Sequence, residues 1–93
     1  MIESFACKET ERLFRREFSK RLPTHIQQIA YRKLKMLNRS STLQDLRVPP
    51  ANRLEALSGN RKGQHSIRIN QQWRICFEWV DGNARNVEIV DYH

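Results

Sequence analysis

The chain is poor in residues that break, cross-link or bridge structure. Its 93 residues hold three glycines, three prolines and two cysteines, so a low-complexity linker and a disulfide framework are both ruled out by composition. Cys7 and Cys76 stand far apart, at no metal-ligand spacing to each other or to His25, His65 and His93. That argues against a zinc site, and no cofactor motif takes its place. No apolar run approaches the roughly 20 residues of a membrane-spanning helix. Residues 1–5 lead straight into charged sequence without a signal-peptide core, so the expectation is a cytoplasmic protein with free thiols. Acidic residues are scarce as well, 10 against 17 lysines and arginines for a net charge of +7. This balance points to an anionic partner, nucleic acid first, against the blander reading of a solvated basic surface. At this length residues 1–93 make one domain around a single core.

What is present is clearest near the C-terminus. Trp73, Ile75, Phe77 and Trp79 alternate with Arg74, Cys76 and Glu78, the period of a half-buried strand. A second strand carries Val87 and Ile89. Counting Asp81, Gly82 and Asn83 as a three-residue turn pairs Val80 with Ala84, sets Arg74 opposite Val90 and puts Tyr92 on the next diagonal. The same reasoning upstream pairs Ile69 with Trp73 and Ile67 with Ile75. Arg68 then lies opposite Arg74 on the solvent-facing side, a repulsive placement of a few tenths of a kcal/mol or more, roughly, that a carboxylate or an external anion would relieve. Asp91, Tyr92 and His93 end the chain beside that pair, three groups able to hydrogen-bond or move protons.

The first half reads as helical. Residues 2–6 alternate weakly and suit a short first strand. Over 8–18 the spacing of Thr10, Leu13, Phe14 and Phe18 makes a helical stripe, with Arg12, Arg15 and Arg16 outward. Pro23 suits the first turn of a second helix that buries Ile26, Ile29, Ala30, Leu34 and Leu37. Arg32, Lys33, Lys35 and Arg39 make its outer face basic and add to Lys20 and Arg21 before it, either a docking surface for phosphate or an acidic partner or simply a solvated face. After a break at 38–41 and a short turn at 42–46, Pro49-Pro50 forbids regular structure. Strands are then expected over 53–57 and 64–69, separated by a basic turn-rich loop at 58–63. The order predicts an α+β fold, with two N-terminal helices packed on one face of a small, mainly antiparallel twisted sheet.

In the loop, two glycines let backbone N–H groups approach an anion while Arg61 and Lys62 add charge, although the spacing is not that of a nucleotide-binding loop. Arg53, Arg61, Lys62 and Arg68 are the candidate phosphate contacts. Joined to Arg74, Tyr92 and His93, they supply what metal-free RNA cleavage needs: cations for the phosphorane and groups to act as base and acid. Beside two arginines His93 would favour its neutral form, which can act as a base.

Four stretches also resemble a known family: Met1-Ile2-Glu3-Ser4-Phe5, the segment from Arg53-Leu54-Glu55 through Ser58-Gly59-Asn60-Arg61, Gln72-Trp73-Arg74-Ile75 and the ending Asp91-Tyr92-His93. They are similar to the HigB (host inhibition of growth) toxins of the RelE/ParE superfamily, and the likeness covers essentially the whole chain. The resemblance implies a RelE-like microbial ribonuclease-type fold and a ribosome-dependent mRNA endonuclease that cuts message in the A site. It also implies a helix-turn-helix, HigA-like antitoxin that inhibits the toxin and, with it, binds operator DNA. On the same basis Arg74 would stabilise the scissile phosphate, Asp91, Tyr92 and His93 would orient groups and transfer protons, and Arg61 would grip backbone phosphate. Many members carry histidine at the position of Glu55 and lysine at that of Ser58. A carboxylate at 55 is able to serve as a base for the 2′-hydroxyl but repels RNA phosphate, so the resemblance implies an attenuated nuclease. Two other readings compete. A non-catalytic ParE-like inhibitor of DNA gyrase would not need the Asp91-Tyr92-His93 ending, and a plain nucleic-acid-binding module would need exposed aromatics, whereas Trp73, Phe77 and Trp79 fall on the core face.

Overall fold

The computed structural model describes residues 1–92; His93, a candidate proton-transfer group, lies outside them. Helix α1 spans Lys8–Phe14, started by Cys7, whose Sγ accepts from the Thr10 N–H at 3.4 Å. It is four residues shorter than the apolar stripe suggested. Arg16 takes a left-handed φ of 65°, and Arg16 and Glu17 donate back to the Leu13 and Arg12 carbonyls at 3.0 and 2.8 Å. This is a Schellman closure built without the glycine that would have signalled it. Phe18, expected in the core, is consequently thrown outward and is 63% exposed.

Helix α2 spans Thr24–Arg39, with Pro23 immediately before its first residue. Ile26, Ala30, Leu34 and Leu37 are fully buried, but Ile29 is 41% exposed. At about 100° per residue, Ile29 falls roughly 60° outside the arc those four share, whereas Gln27 lies at its other edge. Gln27 is buried there because its Nε2 donates to the Ser19 and Leu22 carbonyls at 2.8 and 2.9 Å. A polar anchor thus rotates the helix away from the purely apolar solution.

Four antiparallel strands follow in the order β1 (Glu55–Ala56), β2 (Gln64–Arg68), β3 (Trp73–Val80) and β4 (Asn83–Asp91). The strand expected over 53–57 is reduced to two residues, because Arg53 turns the chain with a left-handed φ of 44°. Residues 2–6 do not form a continuous strand. Ile2 and Phe5 bridge in parallel to Ala84 and Val87 and cover the free edge of β4. The two helices and Leu46 pack on one sheet face, against Ile67, Ile75, Phe77, Val87 and Ile89, and Trp73 and Trp79 flank that core. Among the described residues no helix is long and apolar enough to cross a membrane.

The β3–β4 register holds a correction. Val80 pairs with Asn83, not Ala84, so the turn is the two residues Asp81 and Gly82, both at positive φ, 53° and 80°. That is the geometry favoured by the right-handed twist of a hairpin. One residue is regained at a bulge opposite Phe77, where Asn86 has φ 53° and its N–H donates to Ser4 Oγ at 2.9 Å. Beyond the bulge Cys76 faces Glu88 and Arg74 faces Val90. The short turn and the added bulge residue cancel, which is why the expected pairing of Arg74 holds although the turn does not.

Candidate active site

The face turned away from the helices carries the candidate chemistry. Register places Glu55, Ser66, Cys76 and Glu88 in one row across all four strands, and Arg68, Arg74 and Val90 in the next. Arg68 does lie directly opposite Arg74. Arg74, however, is not solvent-facing: it is only 9% exposed. The segment leading into β1 folds over it, and the guanidinium is fixed from two sides. Its Nε donates to Ser66 Oγ at 2.7 Å and one terminal nitrogen donates to the Arg53 carbonyl at 2.7 Å. The same terminal nitrogen lies 3.7 Å from Glu55 Oε1, a loose ion pair whose carboxylate is half exposed. No hydrogen bond falls on the other terminal nitrogen among the described residues.

The covering segment is itself pinned by Asn52, which is fully buried. Its Nδ2 donates to the Leu46 carbonyl at 3.1 Å, and its Oδ1 accepts from Lys33 of α2. Burial holds Lys33 below the ordinary lysine range. A chain of contacts therefore runs from α2 through Asn52 to the Arg53 carbonyl and on to Arg74. Arg53 contributes that carbonyl, while its side chain stays exposed.

Arg61 closes the short turn Gly59–Arg61 and reaches the same face. It donates to Glu88 Oε1 at 2.9 Å and Gln64 Oε1 at 3.0 Å. Glu88 accordingly pushes its affinity for the proton up, and Tyr92 adds a smaller electrostatic contribution in the same direction. Cys76 lies buried between the two guanidiniums. Desolvation raises its thiol above the ordinary value, while Arg61 and Arg74 pull the other way. Lys62 and Ser58 are exposed on the loop.

At the chain end Tyr92 shares strand parity with Glu88 and Val90, hence the Arg74 side, and is 41% exposed. Its backbone N–H donates to the Gln72 carbonyl at 2.5 Å. Asp91 faces Trp73 across the ladder, so alternation directs it to the other side of the strand. There Gln72 Nε2 donates to its Oδ2 at 3.1 Å. The structure thus gathers Arg61, Arg74, Arg68, Glu55 and Tyr92 on one face and sets Asp91 at its rim. Ser66, Cys76 and Asn52 were not singled out as site residues in the sequence, and Glu88, a carboxylate the sequence offered to the Arg68–Arg74 pair, bonds Arg61 instead. Ser66 and Cys76 were within reach of the register argument, since they sit opposite one another and in line with Glu88 once Arg68 is paired with Arg74; the role of buried Asn52 had no sequence signal.

With this geometry in view, the family model described as a HigB-like toxin, a RelE-like toxin of type II toxin–antitoxin system HigB, matches residues 3–93. The chain belongs to the HigB-like toxins. Among curated relatives, Toxin HigB-1 of Vibrio cholerae is 44% identical over 87 residues, covering 92% of each chain. Endoribonuclease HigB of Proteus vulgaris is 28% identical over 93 residues and covers both chains completely. Among solved structures, a chain of the YoeB–YefM complex from Staphylococcus aureus superposes with a TM-score of 0.61 at 19% identity, covering 100% of this chain and 98% of that one. Escherichia coli YafQ does so with a TM-score of 0.58 at 13% identity, covering 98% and 93%. These neighbours agree with the RelE-like α+β fold. The family match spans every candidate residue of this HigB-like toxin, from Arg53 to the chain end.

Proposed function

We propose that this HigB-like toxin is an endoribonuclease that cleaves mRNA in the ribosomal A site, and that 1–93 is its single functional domain. The observation that carries the reading is Arg74: a buried guanidinium fixed by Ser66 and by the Arg53 carbonyl, with no hydrogen bond on its other terminal nitrogen among the described residues. A cation locked before substrate arrives stabilises developing phosphorane charge without reorganising, which is worth roughly a hundredfold or more in rate. In the reaction the RNA 2′-oxygen attacks the adjacent phosphorus and loses its proton to a base. The P–O5′ bond breaks, and the departing 5′-oxygen takes a proton from an acid, leaving a 2′,3′-cyclic phosphate and a 5′-hydroxyl. Arg74 holds the non-bridging oxygens. Tyr92, on the same face, and His93 are the proton-transfer groups, and Asp91 orients the chain end through Gln72. Arg61, Lys62, Arg68 and Arg53 grip flanking phosphates. These roles are filled by side chains, so no cofactor enters them.

The family's antitoxin partner is, in this reading, a HigA-like helix-turn-helix protein. It docks on the basic helical face, where Arg16 lies 5.1 Å from the Tyr31 ring centre and Lys35 4.9 Å from that of Phe14, and the complex binds operator DNA. The toxin acts in the cytoplasm, where message is translated. The test is primer extension on ribosome-bound message with wild type and Arg74→Ala. Cleavage within A-site codons, lost in the variant, is the expected result; equal cleavage by both, or cutting of free RNA alone, would overturn the reading.

A further inference from the structure

Two arginines on the site face each have a carboxylate neighbour, but the two pairs are built differently. Arg61 and Glu88 meet at 2.9 Å with both side chains about a quarter to a third exposed, and Gln64 adds a second bond to the same nitrogen. Arg74 and Glu55 lie 3.7 Å apart, with the arginine side chain 11% and the glutamate 55% exposed. The cation of this second pair is immobilised by two 2.7 Å bonds to partners other than Glu55. Its anion stands on a two-residue edge strand, exposed at both positions. A fixed buried cation facing a loosely held exposed anion is the arrangement of an anion-exchange site, since the carboxylate leaves without disturbing what holds the guanidinium.

We propose that Glu55 is a displaceable counter-ion of Arg74, holding in the RNA-free protein the place that a substrate phosphate takes, and that Glu88 is the permanent partner that positions Arg61. The idea rests on the reading of Arg74 as the phosphate site and deepens it: Glu55 acts there as a competitor of RNA and not as a base. It follows that each phosphate bound at Arg74 displaces a carboxylate, which lowers affinity for RNA while giving Arg74 a counter-charge when RNA is absent. Because exposed ion pairs are weak, displacement needs little driving force, and its removal should strengthen RNA binding only about two- to fivefold.

The test is fluorescence anisotropy of the full chain with a 2′-O-methyl RNA oligonucleotide, whose blocked 2′-oxygen prevents cleavage. Glu55→Gln should tighten binding two- to fivefold with an unchanged melting temperature. The gain should vanish in Glu55→Gln/Arg74→Ala, which should bind like Arg74→Ala alone. Glu88→Ala should lower the melting temperature and weaken binding, because it frees Arg61. Inorganic phosphate, followed through the Arg74 Nε–Hε resonance, should show the same order for wild type and Glu55→Gln. If Arg74→Ala weakens RNA binding but Glu55→Gln does not tighten it, or the gain persists without Arg74, the counter-ion idea falls while the phosphate site stands. If Arg74→Ala binds RNA as well as wild type, both fall.

Discussion

Replacing Arg74 with lysine keeps the charge and removes the geometry, which makes it the sharpest perturbation of this site. The guanidinium uses Nε for Ser66 and a terminal nitrogen for the Arg53 carbonyl, both at 2.7 Å. A lysine ammonium is a single centre on a flexible stem and cannot span both acceptors from the same backbone position. Hydrogen bonds to charged groups contribute about 1.5–3 kcal/mol each, so losing one of the two while retaining the other should cost about that amount. For a domain of this size it corresponds to a fall of roughly 6–24 °C in melting temperature. The remaining ammonium is no longer pre-aligned to the phosphorane, and cleavage should drop on the order of a hundredfold or more. Calorimetry read beside single-turnover cleavage of ribosome-bound message decides the matter. A variant that melts within a degree or two of wild type and cuts at wild-type rate would show that charge alone suffices, and the preorganisation argument would be abandoned.

Further outcomes follow from neighbouring contacts. Arg68→Gln removes the repulsion across the β2–β3 ladder and should leave stability unchanged or raised by up to about 1 kcal/mol while weakening RNA binding; a marked drop in melting temperature would contradict this. Among the described residues, deleting Tyr92 and His93 removes the backbone hydrogen bond from Tyr92 to Gln72; it should cost no more than about 0.5–1.5 kcal/mol, yet abolish growth arrest and message cleavage. Wild-type cleavage should persist in chelator and yield a 2′,3′-cyclic end, read by end-labelling chemistry. Toxin–antitoxin affinity should fall with rising salt, and indifference to ionic strength in a titration would relocate the interface to an apolar surface. Burial raises the Cys76 thiol above its ordinary value of 9.0, so the folded state favours the protonated form. Its contribution is whole below that value and is lost as pH climbs from there through the raised folded value. Cys76→Val should therefore flatten the alkaline side of the stability profile, and identical profiles in denaturant melts would refute the assignment.

Much of this site was legible because a sheet with one buried face constrains itself. Alternation from Trp73 to Trp79 assigns Arg74, Cys76 and Glu78 to the face away from the core, and the apolar pairs Ile67–Ile75 and Ile75–Ile89 leave Arg68 no position but opposite Arg74. Burial in a common core was strong enough to reveal α2 and its buried apolar residues, although it wrongly added Ile29 and missed Gln27. What pattern could not reach depended on contacts between distant segments. The length of α1 was decided by a left-handed Arg16, the rotation of α2 by Gln27 reaching Ser19, and the β3–β4 offset by a bulge whose Asn86 N–H bonds Ser4. Above all, sequence placed Arg74 on an open face, whereas tertiary structure buries it. Asn52, anchored to α2, carries the Arg53 carbonyl across the sheet, and a buried guanidinium is tolerable there because that carbonyl and Ser66 both accept from it. Local periodicity determines which side of a strand a charge occupies; whether that side is wet or covered is set by where a loop some twenty residues away is tied down.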